Sequence, residues 1–66
     1  MKRYLIHHDD GGTWDLVVDG DAWSVEQFDG VNRRKMSVDA FKASADGARL
    51  AAKFTDAVGR AKAEMT

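Results

Sequence analysis

The first half of the chain alternates apolar and polar positions. Tyr4 and Ile6, then Trp14, Leu16 and Val18, then Trp23 and Val25 recur at every second position among charged and polar residues, the period of a strand with one covered face. Strands are predicted over residues 2–8, 13–18 and 21–28, with a shorter fourth over 32–36. After Ser37 the period lengthens. Val38, Phe41 and Ala45 recur at helical spacing, and from Gly47 onward Leu50, Phe54, Ala57, Val58, Ala61 and Met65 fall on one arc, so helices are predicted over 38–45 and 47–64.

Three glycine-containing segments separate the strands: Asp9-Asp10-Gly11-Gly12, Asp19-Gly20 and Asp29-Gly30. Asp-Gly between apolar runs is a hairpin signal, because tight hairpin turns need positive φ at central positions. A loop at Asp19-Gly20 pairs Leu16 with Trp23 and Trp14 with Val25, leaving Asp15, Val17, Ala22, Ser24 and Glu26 on the opposite face; the neighbouring register, with Asp15 against Glu26, is disfavoured. In the first hairpin, an Asp9-Asp10-Gly11 loop with Gly11 left-handed pairs Ile6 with Trp14 and Tyr4 with Leu16. A two-residue turn at Asp29-Gly30 places Glu26 opposite Arg33 and turns Arg34 toward Val25. Ser37 is an N-cap with Asp39 in the first turn behind it, and Ser44 with Gly47 offers a second cap where the helix either breaks or weakens. The predicted fold class is α+β, an antiparallel three- to four-stranded β-meander with one or two C-terminal helices packed on one sheet face.

Length sharpens this picture. With 66 residues and no cysteine, the chain is expected to form a single small domain, near the limit at which a core alone suffices, so self-association to a homodimer is an expected source of added stability. Nothing resembles a membrane span, and Tyr4-Leu5-Ile6 is too short for a signal-peptide core, which makes the cytoplasm the default location. Net charge is −1. Residues 1–30 carry two basic and seven acidic side chains (−5), and residues 31–66 carry eight basic and four acidic (+4).

Candidate chemistry is sparse. His7 and His8 are adjacent on a strand and point to opposite faces, so His7-His8-Asp9-Asp10 makes a poor metal cage, and the Asp19-Gly20-Asp21 segment lacks the spaced ligands of a calcium loop. No glycine elbow flanks Ser24, Ser37 or Ser44, and no phosphate-loop spacing occurs. No cofactor, metal or catalytic residue is assigned. The pattern favours a non-enzymatic protein-interaction module, an inhibitor or regulator docking on a larger protein. It would dock through the acidic turns Asp9, Asp10, Asp19 and Asp21 or through the outer sheet face around Leu5 and Val17, steered by the separated charge. The alternative is a nucleic-acid-binding module using Arg33, Arg34, Lys35, Arg49, Lys53 and Arg60, with Lys42 and Lys62 adding reach; Asp56 interrupts that stripe and no aromatic is interleaved with the basic triplet. Trp14 and Trp23 are assigned to the core, with an indole left as a binding anchor if the helix is too short to cover both. Ala48, Ala52, Thr55, Gly59 and Ala63 form a stripe of small residues assigned to internal packing in preference to a dimer seam.

Overall fold

The alternating half of the chain builds four strands, β1 (Lys2–Asp9), β2 (Gly12–Asp19), β3 (Ala22–Phe28) and β4 (Arg33–Ser37), and the helical half builds α1 (Val38–Ala43), α2 (Ala45–Arg49) and α3 (Ala51–Met65). In the computed structural model, which describes residues 1–65, the strands form one antiparallel sheet in the order β1-β2-β3-β4. Helix α3 packs on β1 and β2, and α1 packs on β3 and β4. This is the α+β meander that the apolar pattern predicts. No helix among the described residues is long and apolar enough to cross a membrane.

All three hairpins differ from the predicted pairings in detail. The β2–β3 register pairs Leu16 with Val25, Val18 with Trp23 and Asp15 with Glu26, the arrangement that sequence reasoning disfavours. The turn residues are Gly20 and Asp21, with positive φ (60°) at Gly20 alone. That is the pattern of a turn needing glycine only at its first central position. Moving the loop by one residue moves every opposing pair by two, so the alternation and both faces survive.

In the first hairpin Tyr4 pairs with Leu16 as predicted, but Leu5 faces Asp15 and His7 faces Trp14, leaving Ile6 as the extra residue of a bulge. The positive φ falls on Gly12 (126°), not on Gly11. The bulge turns His7 from the outer face, where simple alternation puts it, toward Asp9 and the helical side. Between β3 and β4 the chain spends four residues, Asp29 to Asn32, and the Asp29 carboxylate accepts from the N–H groups of Val31 (2.9 Å) and Asn32 (2.6 Å). Phe28 therefore faces Arg33, and Arg34 faces Gln27 at the exposed rim instead of Val25.

The helices start and stop where side chains satisfy their open backbone groups. The Ser37 hydroxyl accepts from Ala40 N–H (3.0 Å). Ser44 acts in both directions, donating to the Phe41 carbonyl (2.6 Å) and accepting from Gly47 N–H (3.0 Å), which closes α1 and opens α2. A second break at Leu50, a buried C-cap at φ −103° and ψ 16°, divides the predicted 47–64 helix into α2 and α3. The core holds Tyr4, Ile6, Trp14, Leu16, Val18 and Val25 from the sheet against Phe41, Leu50, Phe54, Ala57 and Ala61. Met65, assigned to the same arc, is exposed. The small-residue stripe is exposed as well, so it does not serve the internal packing expected of it.

Candidate functional site

Two surfaces collect the remaining chemistry. The first is the outer sheet face. Arg3 on β1 reaches across β2 to Glu26 on β3, placing its guanidinium in a two-point contact with the carboxylate (3.0 and 3.3 Å). Arg33 on β4 donates to the same Glu26 oxygen at 3.2 Å, and Asp15 lies 4.0 Å from Arg3. Two arginines thus hold together two carboxylates that the register sets opposite each other. Glu26 is only 8% exposed. Its carboxyl is held below the usual range by the Arg3 hydrogen bonds first and Arg33 after, against the opposing effect of burial. Asp15 moves upward, because burial and the Glu26 charge outweigh the arginines.

The signs of these shifts oppose each other. Glu26 contributes stability that is fully present above its ordinary value of 4.5 and is lost as pH falls through its depressed folded value. Asp15 is easier to protonate folded than unfolded, so acidification relieves its penalty. Asp9, held down by Gly11 N–H, Asp29, held down by the N–H groups of Asn32 and Val31, and Glu64, held down by the Tyr4 hydroxyl, act in the same sense as Glu26. Urea unfolding between pH 7 and 3 is expected to show falling stability. Glu26→Gln should cost about 1–3 kcal/mol at pH 7 and flatten the acid slope, while Asp15→Asn should steepen it. An unchanged slope in Glu26→Gln would refute this assignment.

The docking contacts expected on this face divide. Leu5 is 47% exposed, but Val17 is 1% exposed and lies outside the main core cluster. Its neighbour across the strands is Arg3, whose bridge to Glu26 crosses β2, so Val17 is covered and a partner cannot reach it. The acidic turns also fail to form one patch. Asp9 and Asp10 sit at one end of β2, while Asp19 and Asp21 sit at the other, roughly 23 Å away at ~3.3 Å per residue. Asp9 is already engaged by Gly11 N–H (2.8 Å), His7 (3.2 Å) and Arg49 (3.6 Å).

The basic set proposed for nucleic acid is scattered in the same way. Arg33 and Lys35 share the outer face by register, Arg34 belongs to the opposite one, and Arg49, Lys53 and Arg60 lie on the helices. Arg33 is bound to Glu26 and lies 4.9 Å from the centre of the Phe28 ring. Arg34 donates to Gln27 (2.6 Å), Arg49 pairs with Asp46 (3.1 Å), and Arg60 pairs with Asp56 (3.3 Å) and donates to the Leu5 carbonyl. Of the six, Lys35 and Lys53 alone have no polar partner among the described residues. His7 and His8 separate as predicted, His7 toward Asp9 and His8 toward Thr13 (2.8 Å).

The second surface is a groove of about 330 Å³ on the helical side. Val38 and Lys42 are four residues apart on α1, and Phe54, Val58 and Lys62 follow the same spacing on α3, so each helix offers one row of side chains. Trp23, at the start of β3, completes the lining between them. Trp14 is fully inside the core, whereas Trp23 is half-buried, packed on the core by part of its ring system and open to the groove. Lys42 lies over Phe54, 5.8 Å from the ring centre, and neither Lys42 nor Lys62 has an ion-pair partner among the described residues. The result is an apolar floor beneath uncompensated positive charge. Sequence reasoning found these residues singly: it placed the two lysines with phosphate binding and Trp23 in the core, with an exposed indole kept as the alternative anchor, and Trp23 does pack on the core while opening to the groove. No family model, curated protein or solved structure matches the chain, which leaves its own surfaces to carry the functional reading.

Proposed function

We propose that the chain is a non-enzymatic protein-interaction module, an inhibitor or regulator of a larger protein, and that it docks through the Trp23 groove on an apolar side chain flanked by carboxylates. The observation that carries this reading is the half-buried indole beside Val38, Phe54 and Val58 with Lys42 and Lys62 unpaired at its margin. Aromatic anchors in partly enclosed apolar sites dominate interface energies, and unpaired charge at the rim selects the partner's sign. On the outer face, by contrast, Arg3, Arg33, Asp15 and Glu26 are engaged with one another. The hydroxyls of Ser37 and Ser44 are committed to helix caps, which supports binding over nucleophilic chemistry.

Selection from a random peptide library displayed on phage tests the reading. Enriched sequences should carry an aromatic or aliphatic anchor next to Asp or Glu. Trp23→Ala should weaken the selected peptides by about thirtyfold, in line with a hot-spot truncation of ~2 kcal/mol. The charge reversal Lys42→Glu with Lys62→Glu should remove binding of acidic peptides and leave the fold intact. Enrichment without acidic residues, or equal binding by the reversed variant, would overturn it.

A further inference from the structure

The two edges of the sheet are protected unequally. A free strand edge presents unpaired N–H and C=O groups, and proteins guard it with bulges, covering elements or charge. Edge strand β1 has a bulge at Ile6, α3 packed against it, an Arg60 guanidinium donating to the Leu5 carbonyl, and the Lys2–Glu64 pair (3.5 Å) tying its start to the end of α3. Edge strand β4 touches α1 but, among the described residues, has no bulge, no side chain bonded to its backbone and no ion pair tying it to a helix. Its pairing with β3 runs in regular register from Ser24–Ser37 to Phe28–Arg33, and among the described residues no other backbone bond involves Arg33 to Met36. All of its residues except the half-buried Met36 are exposed.

What guards β4 is charge of one sign. Register puts Arg33 and Lys35 on the outer face and Arg34 on the other, so either face of an added strand meets a cation. A second copy is a poor occupant. Two-fold antiparallel pairing of β4 with itself, keeping both helical layers on one side, sets Arg34 against Arg34 and Arg33 against Lys35, or Lys35 against Lys35. Only registers of three residues or fewer escape, and like charges directly opposite are destabilising. The homodimer expected from chain length would need another surface.

We propose that the free edge of β4 accepts an extended acidic segment of a partner protein by strand addition, with carboxylates at positions i and i+2 facing Arg33 and Lys35. Main-chain hydrogen bonds supply the attachment, and alternate side chains supply the choice of partner. Lys35 has no partner among the described residues and is the first group such a carboxylate meets. The site is separate from the Trp23 groove, which is lined by other residues.

The probe is a synthetic peptide of alternating glutamate and valine, with alternating lysine and valine as control, titrated into the full chain and followed by amide NMR shifts and hydrogen exchange. The acidic peptide should slow exchange at amides of β4 and leave β1 unaffected; the basic peptide should not bind. Methylating alternate peptide nitrogens on the bonding side should weaken it tenfold or more, which distinguishes strand addition from simple charge attraction. Arg33→Glu with Lys35→Glu should exchange the preference to the basic peptide, and Trp23→Ala should bind the acidic peptide as the parent does. Equal binding of the methylated and unmethylated peptides, or protection at β1 instead of β4, would overturn the inference even if the double variant failed to fold. So would a concentration-dependent dimer whose β4 amides are protected without any peptide.

Discussion

Gly47→Ala is expected to abolish folding at room temperature. Gly47 is buried in α2, and a Cβ on it would stand 1.7 Å from the Phe41 carbonyl oxygen and 2.6 Å from its carbon. Both are backbone atoms at the end of α1, so no side-chain rotation relieves the clash, and α2 would have to leave α1. That movement would break the Ser44 bridge, which holds the same Phe41 carbonyl and the Gly47 N–H. A domain of this size has about 3–5 kcal/mol of stability from its core, and overpacking against backbone consumes most of it. Far-ultraviolet circular dichroism on heating provides the measurement. The exposed neighbour Ala48→Gly is the control, with an expected loss of about 1 kcal/mol from helix propensity alone. A cooperative parent-like melt for Gly47→Ala would contradict the close approach of α1 and α2.

Phe41→Ala should be nearly as damaging, for a different reason. Phe41 is fully buried, and its ring stands 5.5 Å from Trp14 and 5.3 Å from Phe54, both at tilted angles. One side chain therefore joins α1 to the sheet and to α3. Truncation leaves a cavity between three elements that short helices cannot close without losing their caps, and the expected loss is about 3–5 kcal/mol. Phe41→Leu fills much of the space and should cost about 1–2 kcal/mol, with the aromatic contacts forgone. Urea unfolding followed by tryptophan fluorescence separates the two variants. Similar losses for alanine and leucine would show that the ring stack does not join the layers.

Much of this architecture is legible in the residues. Ser37 opens a helix because its hydroxyl replaces a missing backbone acceptor, and the alternation in β2 and β3 buries Leu16 and Val25 in any register that keeps the faces. Loop position was less legible, because Asp19-Gly20-Asp21 allows a glycine turn in two places and both preserve the apolar face. The disfavoured register then wins because Arg3 and Arg33, from the two flanking strands, neutralise the Asp15–Glu26 pair. A pairwise comparison of two strands contains neither arginine. The bulge at Ile6 escaped for a similar reason: a local pattern of apolar residues is unchanged by one extra residue whose effect is felt only at the far end of the strand.

The candidate site was less visible than the fold. Trp23, Val38, Lys42, Phe54, Val58 and Lys62 come from a strand and two helices, and their meeting depends on the break at Ser44 and the second at Leu50. Charge shows the same division between chain and fold. By itself, the order of residues determines an acidic first half and a basic second half, together with strand alternation, helical period and caps, because these depend on near neighbours. Tertiary structure decides how that charge is used: Asp9 and Glu26 of the acidic half are held by Arg49 and Arg33 of the basic half, while the lysines at the groove and on β4 remain unpaired among the described residues. Coulombic partners are chosen by distance in space, and the folded chain sets that distance.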